Sequence, residues 1–247
     1  MKSTIFIVMT VAALAVTSAT AETRVSFSTS IDHLSNDTPD WHESSVQLLR
    51  QYAPRKNASV ALTQTERFGL HDNQISGMVT MPWRNDIVAT VDANVSNTHR
   101  VLARHALGIS LQYELIPAWL VHGGIRTTSY DAERVNQGLL MLERYFSSVS
   151  VVAAWRPTRA FDTTAHSGEL RASYYYKDKS SVGMIVAGGK EAENIGGNIR
   201  LTSMRSVALV GRHWLSRDWA LNYSASHTRQ GDFYTRNGLN LGFQYAF

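Results

Sequence analysis

Apolar and polar residues alternate one by one along most of this chain. In the C-terminal segment apolar residues occupy every second position: Leu239, Leu241, Phe243, Tyr245 and Phe247. Small or polar residues lie between them, and the same alternation recurs in residues 87–97, 104–115 and 218–228. A period of two is typical of a β-strand whose two faces meet different surroundings. No comparable stretch sustains a helical period, so the pattern predicts an all-β protein.

Fourteen segments carry this pattern, and we interpret each as a strand. They are about 24–33, 45–53, 58–68, 74–83, 87–97, 104–115, 118–128, 136–146, 149–157, 167–176, 181–190, 205–215, 218–228 and 234–247. Short turns alternate with longer connections, of which 34–44, 158–166 and 191–204 are examples. This arrangement and an even strand number are typical of outer-membrane barrels. The short average repeat leaves twelve strands as an alternative, with 45–53 or another weak segment not a strand.

Aromatic residues gather near the short turns. They are Tyr52, Trp83, Tyr113, Trp119, Tyr145, Phe146, Tyr176, Trp214, Trp219 and Tyr245. Such a girdle marks a membrane interface. A soluble β-sandwich or lipocalin-like barrel is the alternative, but soluble barrels have about eight strands and an apolar interior. Fourteen strands enclose a lumen too wide for small inward residues to fill. The chain is therefore predicted to be a transmembrane antiparallel up-and-down β-barrel.

The N-terminal residues predict export. Lys2 precedes an uncharged run at 5–16, and Ala19-Thr20-Ala21 fits a cleavage site. This is the layout of a secretory signal peptide, and the run is too short to cross the hydrocarbon region as a helix. We expect a cleaved signal peptide at 1–21, a barrel domain at 22–247, and location in the outer membrane.

Composition excludes several kinds of chemistry. The chain has no Cys and a formal net charge of +4. A disulfide framework and a thiolate metal site are therefore absent, and the small, dispersed charge gives no reason to expect nucleic acid as a partner. No metal-ligand spacing is present, and no cofactor is expected. The expected partners are outer-membrane lipid and lipopolysaccharide, the outer-membrane assembly machinery, and a small polar solute.

Strand parity places a set of charged residues inside the barrel. The candidates for contact with a solute are Arg67, His122, Arg126, Glu143, Arg171, Arg212 and Arg236. Asp92, Arg104, Glu114, Arg156 and Glu169 share their parity, and Glu143 lies in a segment whose parity is ambiguous. The excess of arginine favours a channel or pocket for small polar or anionic solutes. The alternative is a structural or surface-interaction barrel, for example one associated with surface polysaccharide, whose inward charges brace the wall. Arg212 lies near the periplasmic end, with Glu143 as a candidate partner.

Catalysis finds little support in the sequence. His122 precedes Gly123 and Gly124, which would allow close approach of another chain or ligand. However, neither a G-x-S-x-G nor an H-E-x-x-H pattern is present. We therefore expect the protein not to be an enzyme and assign no catalytic residue, with a hydrolase site in the lumen or a loop as the alternative.

Several strings resemble the YaiO family of outer-membrane β-barrel proteins. They include residues 66–70, 98–102, 121–126, 143–145, 174–176, 205–206, 211–214 and 234–238. They run in the expected order over nearly the whole chain after residue 21. The resemblance implies an outer-membrane location without a settled activity. Phe243, Tyr245 and Phe247 resemble the terminal signal that the outer-membrane assembly machinery reads, and we expect them to act in assembly.

Overall fold

The computed structural model of the protein describes residues 21–35, 38–131, 133–177, 179–195 and 198–247, with the backbone alone at 191–195 and 198–200. The predicted signal peptide lies outside these residues, apart from Ala21. Within the described ranges, no helix is long and apolar enough to cross a membrane.

Fourteen antiparallel strands form one closed barrel. They are β1 (Glu22–Leu34), β2 (Trp41–Ala53), β3 (Lys56–Arg67), β4 (Leu70–Pro82), β5 (Ile87–Ser96), β6 (His105–Ile116), β7 (Trp119–Ser129), β8 (Arg134–Phe146), β9 (Val149–Ala160), β10 (Thr163–Tyr176), β11 (Ser180–Ile195), β12 (Asn198–Trp214), β13 (Trp219–Gln230) and β14 (Tyr234–Ala246). The predicted fourteen strands are confirmed, and the alternative of twelve is wrong because every predicted segment, including 45–53, belongs to a strand.

Each strand pairs with its neighbours in sequence, and the seam between β1 and β14 closes the barrel. The seam runs from Arg24 opposite Ala246 to Leu34 opposite Arg236. At its end the Thr23 amide donates to the Phe247 carbonyl over 2.9 Å, and the Phe247 amide donates to the Thr23 carbonyl over 2.8 Å. Closure leaves no free sheet edge, which is what the hydrocarbon region requires of a spanning sheet.

The two faces of the sheet differ as the alternation predicts. On β1 the apolar Val25, Phe27 and Ile31 are exposed on the outer face, whereas Ser26 and Ser28 are half-buried on the inner face. The same distribution recurs around the barrel and forms an apolar belt facing lipid. The protein is thus an all-β transmembrane barrel with a mainly polar lumen.

The connections differ in length less than the sequence predicts. By the rule for outer-membrane barrels, the end that holds the start of β1 and the close of β14 is periplasmic. At the extracellular end, the predicted loop at 158–166 is wrong because β9 and β10 are joined by Phe161 and Asp162 alone. Both residues have positive φ, 49° and 55°, as a two-residue hairpin turn of the I′ type requires. The predicted loop at 191–204 is likewise largely strand, since β11 continues to Ile195 and β12 begins at Asn198.

Deleting Phe247 should weaken the seam. The deletion removes both backbone hydrogen bonds to Thr23, and a net contribution of about 1 kcal/mol for each bond predicts a loss of about 1–3 kcal/mol. The amount of folded, heat-modifiable barrel in outer-membrane fractions and its urea midpoint measure the effect. Phe247→Ala keeps the backbone bonds and isolates the role of the ring. Wild-type levels and midpoint in the deletion variant would contradict this role of Phe247.

Candidate solute pathway in the lumen

The lumen contains a cavity of about 660 Å³. Hydroxyl and amide side chains from neighbouring strands cover much of its wall, among them Ser26, Ser45, Thr63, Ser224 and Asn240. These small polar groups project inward because the pleat places every second residue on the same face. The cavity therefore offers water and a polar solute many hydrogen-bonding partners.

Four apolar residues form a cluster at the extracellular end of the lumen, which we call the mouth cluster: Leu34, Trp41, Phe68 and Tyr234. The Trp41 side chain is 2% exposed, and its ring lies 5.1 Å from that of Phe68 and 5.7 Å from that of Tyr234, edge to face in both cases. Because Trp41 also lines the cavity, the mouth cluster bounds it on the extracellular side.

Two arginines flank the mouth cluster. The guanidinium groups of Arg67 and Arg236 lie 4.8 Å and 5.0 Å from the Trp41 ring centroid, within the range of cation–π attraction. Each also faces a carboxylate: Arg67 Nη2 is 3.3 Å from Glu43 Oε2, and Arg236 Nε is 3.8 Å from Asp32 Oδ1. Strand parity from the sequence places both arginines correctly, but neither acidic partner was among the sequence candidates.

The connection between β5 and β6, residues 97–104, folds inward and forms what we call the inner loop. Val101 is fully buried, and it packs with Leu102 against Phe68 and Leu70. Asp72, only 1% exposed, fixes the loop: its carboxylate accepts hydrogen bonds from the backbone amides of Arg100, Val101 and Leu102 at 3.2, 2.5 and 2.6 Å. Since Leu102 lines the cavity, the inner loop narrows the same end as the mouth cluster.

Arg126 forms an ion pair with Asp92 across two strands. Both side chains project inward, as parity predicts. Gly108 lies between them, and a Cβ at that position would collide with the Asp92 carboxylate. Gly238 has the same role beside Asp32. The absence of a side chain at these two positions thus makes room for an inward carboxylate.

Glu143 resolves the ambiguous parity of β8, because it faces inward and lines the cavity. Its side chain is 1% exposed, and its Oε2 lies 3.3 Å from His122 Nε2. The two atoms are close enough for an ion pair, yet neither forms a hydrogen bond of good geometry within the described residues. Nearby, Ser150 and Tyr175 share a hydrogen bond of 3.1 Å between their hydroxyls.

The two remaining arginine candidates, Arg171 and Arg212, have different partners. Arg171 and Arg156 share Glu169, at 3.0 Å and 3.1 Å. Arg212 lies at the periplasmic end, as predicted, but the predicted pairing of Arg212 with Glu143 is wrong. Its Nε instead donates to Asn222 Oδ1 over 2.8 Å, because Asn222 is its direct cross-strand neighbour on β13.

All seven candidates for solute contact project inward from the barrel wall, and those that line the cavity are Arg67, Glu143, Arg171, Arg212 and Arg236. His122 and Arg126 lie outside its lining. The prediction that Arg104 faces the lumen is wrong, because Arg104 precedes β6 and is exposed. Contact of these residues with a solute stays a prediction.

The sequence analysis does not identify the acidic residues that face several of these cations. Asp32 shares the parity of Ser26 and Ser28, so the alternation alone identifies it. Glu43 and Asp72 fell in segments interpreted as connections, whereas β2 begins at Trp41 and β4 at Leu70. The cavity wall carries the cations Arg67, Arg171, Lys179, Arg212 and Arg236 and the carboxylates Asp32, Glu43 and Glu143. Among the described residues, no group of three or more acidic, His or Cys side chains is placed to hold a metal ion.

Solved structures of outer-membrane barrels resemble this fold. Omp33 of Acinetobacter baumannii superposes with a TM-score of 0.56 at 12% identity, covering 92% of this chain and 99% of that chain. A KdgM porin gives 0.53 at 11% identity, covering 90% and 99%. The CymD monoaromatic hydrocarbon channel gives 0.58 at 8% identity, covering 92% and 87%. At these identities the likeness concerns the fold alone.

Sequence comparison identifies the family. A search of curated proteins gives no significant match. The family model described as the YaiO membrane beta barrel domain matches residues 22–194, which is well over half of the chain and includes β1 to β10. The order of strings along the sequence, the closed fourteen-stranded barrel and this match agree with one another. The chain belongs to the YaiO family of outer-membrane β-barrel proteins.

Proposed function

We propose that the barrel is a narrow outer-membrane channel for small polar solutes, with a preference for anions, and that the chain reaches the membrane through a signal peptide at 1–21. The observation that carries the proposal is the cavity of about 660 Å³, whose wall combines hydroxyl and amide groups with more cations than carboxylates. A polar solute that leaves bulk water needs such groups to replace its hydration.

The anion preference rests on the periplasmic half of the cavity. Arg212 and Lys179 both line it, and within the described chain neither has a carboxylate at ion-pair distance. Arg212 donates to the uncharged Asn222, whereas Lys179 Nζ lies 4.6 Å from the Trp214 ring and also within electrostatic range of the Glu22 carboxylate, which Arg24 shares. At the mouth, by contrast, Arg67 and Arg236 each face an acid, and their charges are largely compensated. The net positive electrostatic potential in the lumen is therefore expected near its periplasmic end.

Reversal potentials in planar bilayers test this proposal. Arg212→Gln combined with Lys179→Gln should lower the anion-over-cation permeability ratio by a factor of about two to five at 0.01 M salt, where the Debye length is about 30 Å. At 1 M salt the Debye length is about 3 Å and the difference should nearly vanish. Arg159→Gln removes an exposed cation on the outer face of the barrel and is the matched control.

A second candidate is a structural or surface-interaction barrel, for example one associated with surface polysaccharide. The mouth cluster and the inner loop favour it, since they narrow the extracellular end. A wild-type barrel that folds and inserts but never conducts would end the channel proposal and leave this one.

We infer further that the barrel is not an enzyme. Acyl transfer needs a nucleophile within hydrogen-bond reach of a base. His122 faces Glu143, and the nearby hydroxyls of Ser150 and Tyr175 are hydrogen-bonded to each other. Hydrolase assays with ester and glycoside substrates should therefore give no rate above that of the solvent.

A further inference from the structure

Two arginines lie directly opposite each other on the lipid-facing side of the barrel. Arg205 of β12 is the cross-strand partner of Arg229 of β13, and both side chains are exposed. Like charges in direct cross-strand register destabilise a sheet. An anion bound between the two would turn this repulsion into attraction, because a guanidinium fork binds a phosphate oxygen pair well.

The surroundings of the pair leave room for such an anion. A surface pocket of about 230 Å³ is lined by Ser203, Arg205, Arg229, Gly231 and Asp232. On the other side of Arg205 the cross-strand partner is Gly188, which has no side chain. Lys190 is exposed on the same face, opposite Ser203, so a third cation lies one diagonal step from Arg205.

One carboxylate lies in the pocket. Asp232 Oδ1 is 3.2 Å from Arg229 Nη2, and its side chain is 99% exposed. A pair so open to water contributes little stability, and Asp232 offsets only one of the three positive charges of Lys190, Arg205 and Arg229. The patch therefore stays cationic.

The height of the patch indicates what it meets. On β12 the outward residues below Arg205 are Val207 and Leu209, which belong to the exposed apolar belt, and Arg205 is the next outward position towards the extracellular end. The patch thus lies where the hydrocarbon region gives way to head groups. On the extracellular side of an outer membrane, these head groups belong to phosphorylated glycolipids.

We propose that Arg205, Arg229 and Lys190 form a binding site for a phosphate group of lipopolysaccharide in the outer leaflet. Arg205 and Arg229 hold the phosphate between them, and the apolar belt below contacts the acyl chains of the same lipid. The site faces away from the lumen, so it is independent of any solute that the channel carries.

Titration of the folded barrel with fluorescent lipopolysaccharide in an uncharged detergent tests the site. Arg205→Gln combined with Arg229→Gln should weaken the apparent Kd by about tenfold or more, since a hydrogen bond to a charged group contributes about 1.5–3 kcal/mol. Arg159→Gln is the matched control: Arg159 pairs with Asp162 at 3.3 Å in the same i, i+3 arrangement as Arg229 with Asp232, but its cross-strand partners are Asn136 and Thr164. Its Kd should stay within about twofold of wild type.

Two further measurements on the wild-type barrel identify the source of the phosphate. Lipopolysaccharide stripped of its phosphates should bind the wild-type barrel as weakly as the intact lipid binds the double variant. Inorganic phosphate should compete only weakly, because it lacks acyl chains. Equal binding of intact and dephosphorylated lipid would overturn the proposal, as would an unchanged Kd in the double variant. Competition by inorganic phosphate as strong as by the lipid would show a free-anion site instead and also overturn it.

Discussion

Replacing Asp72 by alanine should free the inner loop, and trypsin should then cut the folded barrel after Arg100 at least about tenfold faster. The Asp72 carboxylate accepts three backbone amides of the loop while almost fully buried, and each hydrogen bond to a charged acceptor contributes about 1.5–3 kcal/mol. When opening is fast relative to cleavage, the cleavage rate follows the population of the open loop. Mass spectrometry of the fragments identifies the cut.

Asp162→Ala is the control for this experiment. Asp162 is an exposed acid in the hairpin between β9 and β10, and its loss should leave cleavage after Arg100 unchanged. If the channel proposal is correct, Asp72→Ala should also raise the single-channel conductance, because the inner loop no longer narrows the mouth. Cleavage at the wild-type rate would contradict the role of Asp72 as the anchor, whatever the conductance.

Leu241→Arg should lower the free energy of unfolding by about 2–4 kcal/mol, the cost of a basic residue on the lipid face near the bilayer midplane. Leu241 lies in the middle of β14 and is exposed on the outer face. Asn240→Arg, one position away, is the matched control because Asn240 lines the cavity and a guanidinium there remains in water. Urea titration in lipid vesicles measures both variants. Equal losses would contradict the assignment of faces on β14.

The strands could be predicted because the membrane and the water-filled lumen act on alternate residues. Where both faces of a strand are wet, the alternation lapses and the prediction ends too early. β10 begins at Thr163 rather than at 167, and β2 begins at Trp41 rather than at 45. The turn at Phe161 and Asp162 was missed for another reason: both residues have positive φ, and a phenylalanine is not a residue from which such a turn is expected.

The pairing of charges inside the lumen could not be predicted in the same way. Parity reports the face of a residue but not its height, which depends on the register between strands. Arg212 faces inward as predicted, yet its height places it beside Asn222 rather than Glu143. The ion pair of Arg236 and Asp32 lies across the seam, because Asp32 is the cross-strand partner of Gly238, two residues from Arg236. The sequence alone gives neither the pairing of β1 with β14 nor the register between them.

The seam also has a consequence for the order of folding. Every other pairing joins strands that follow each other in the chain and can form as a hairpin, whereas the seam brings Arg24 next to Ala246. Closing so long a loop costs more conformational entropy than closing any hairpin, so we expect the seam to be the last pairing to form. Until then β1 and β14 each present a row of unpaired amides and carbonyls, and each such group costs several kcal/mol in hydrocarbon. We therefore expect insertion into the membrane and closure of the seam to occur together.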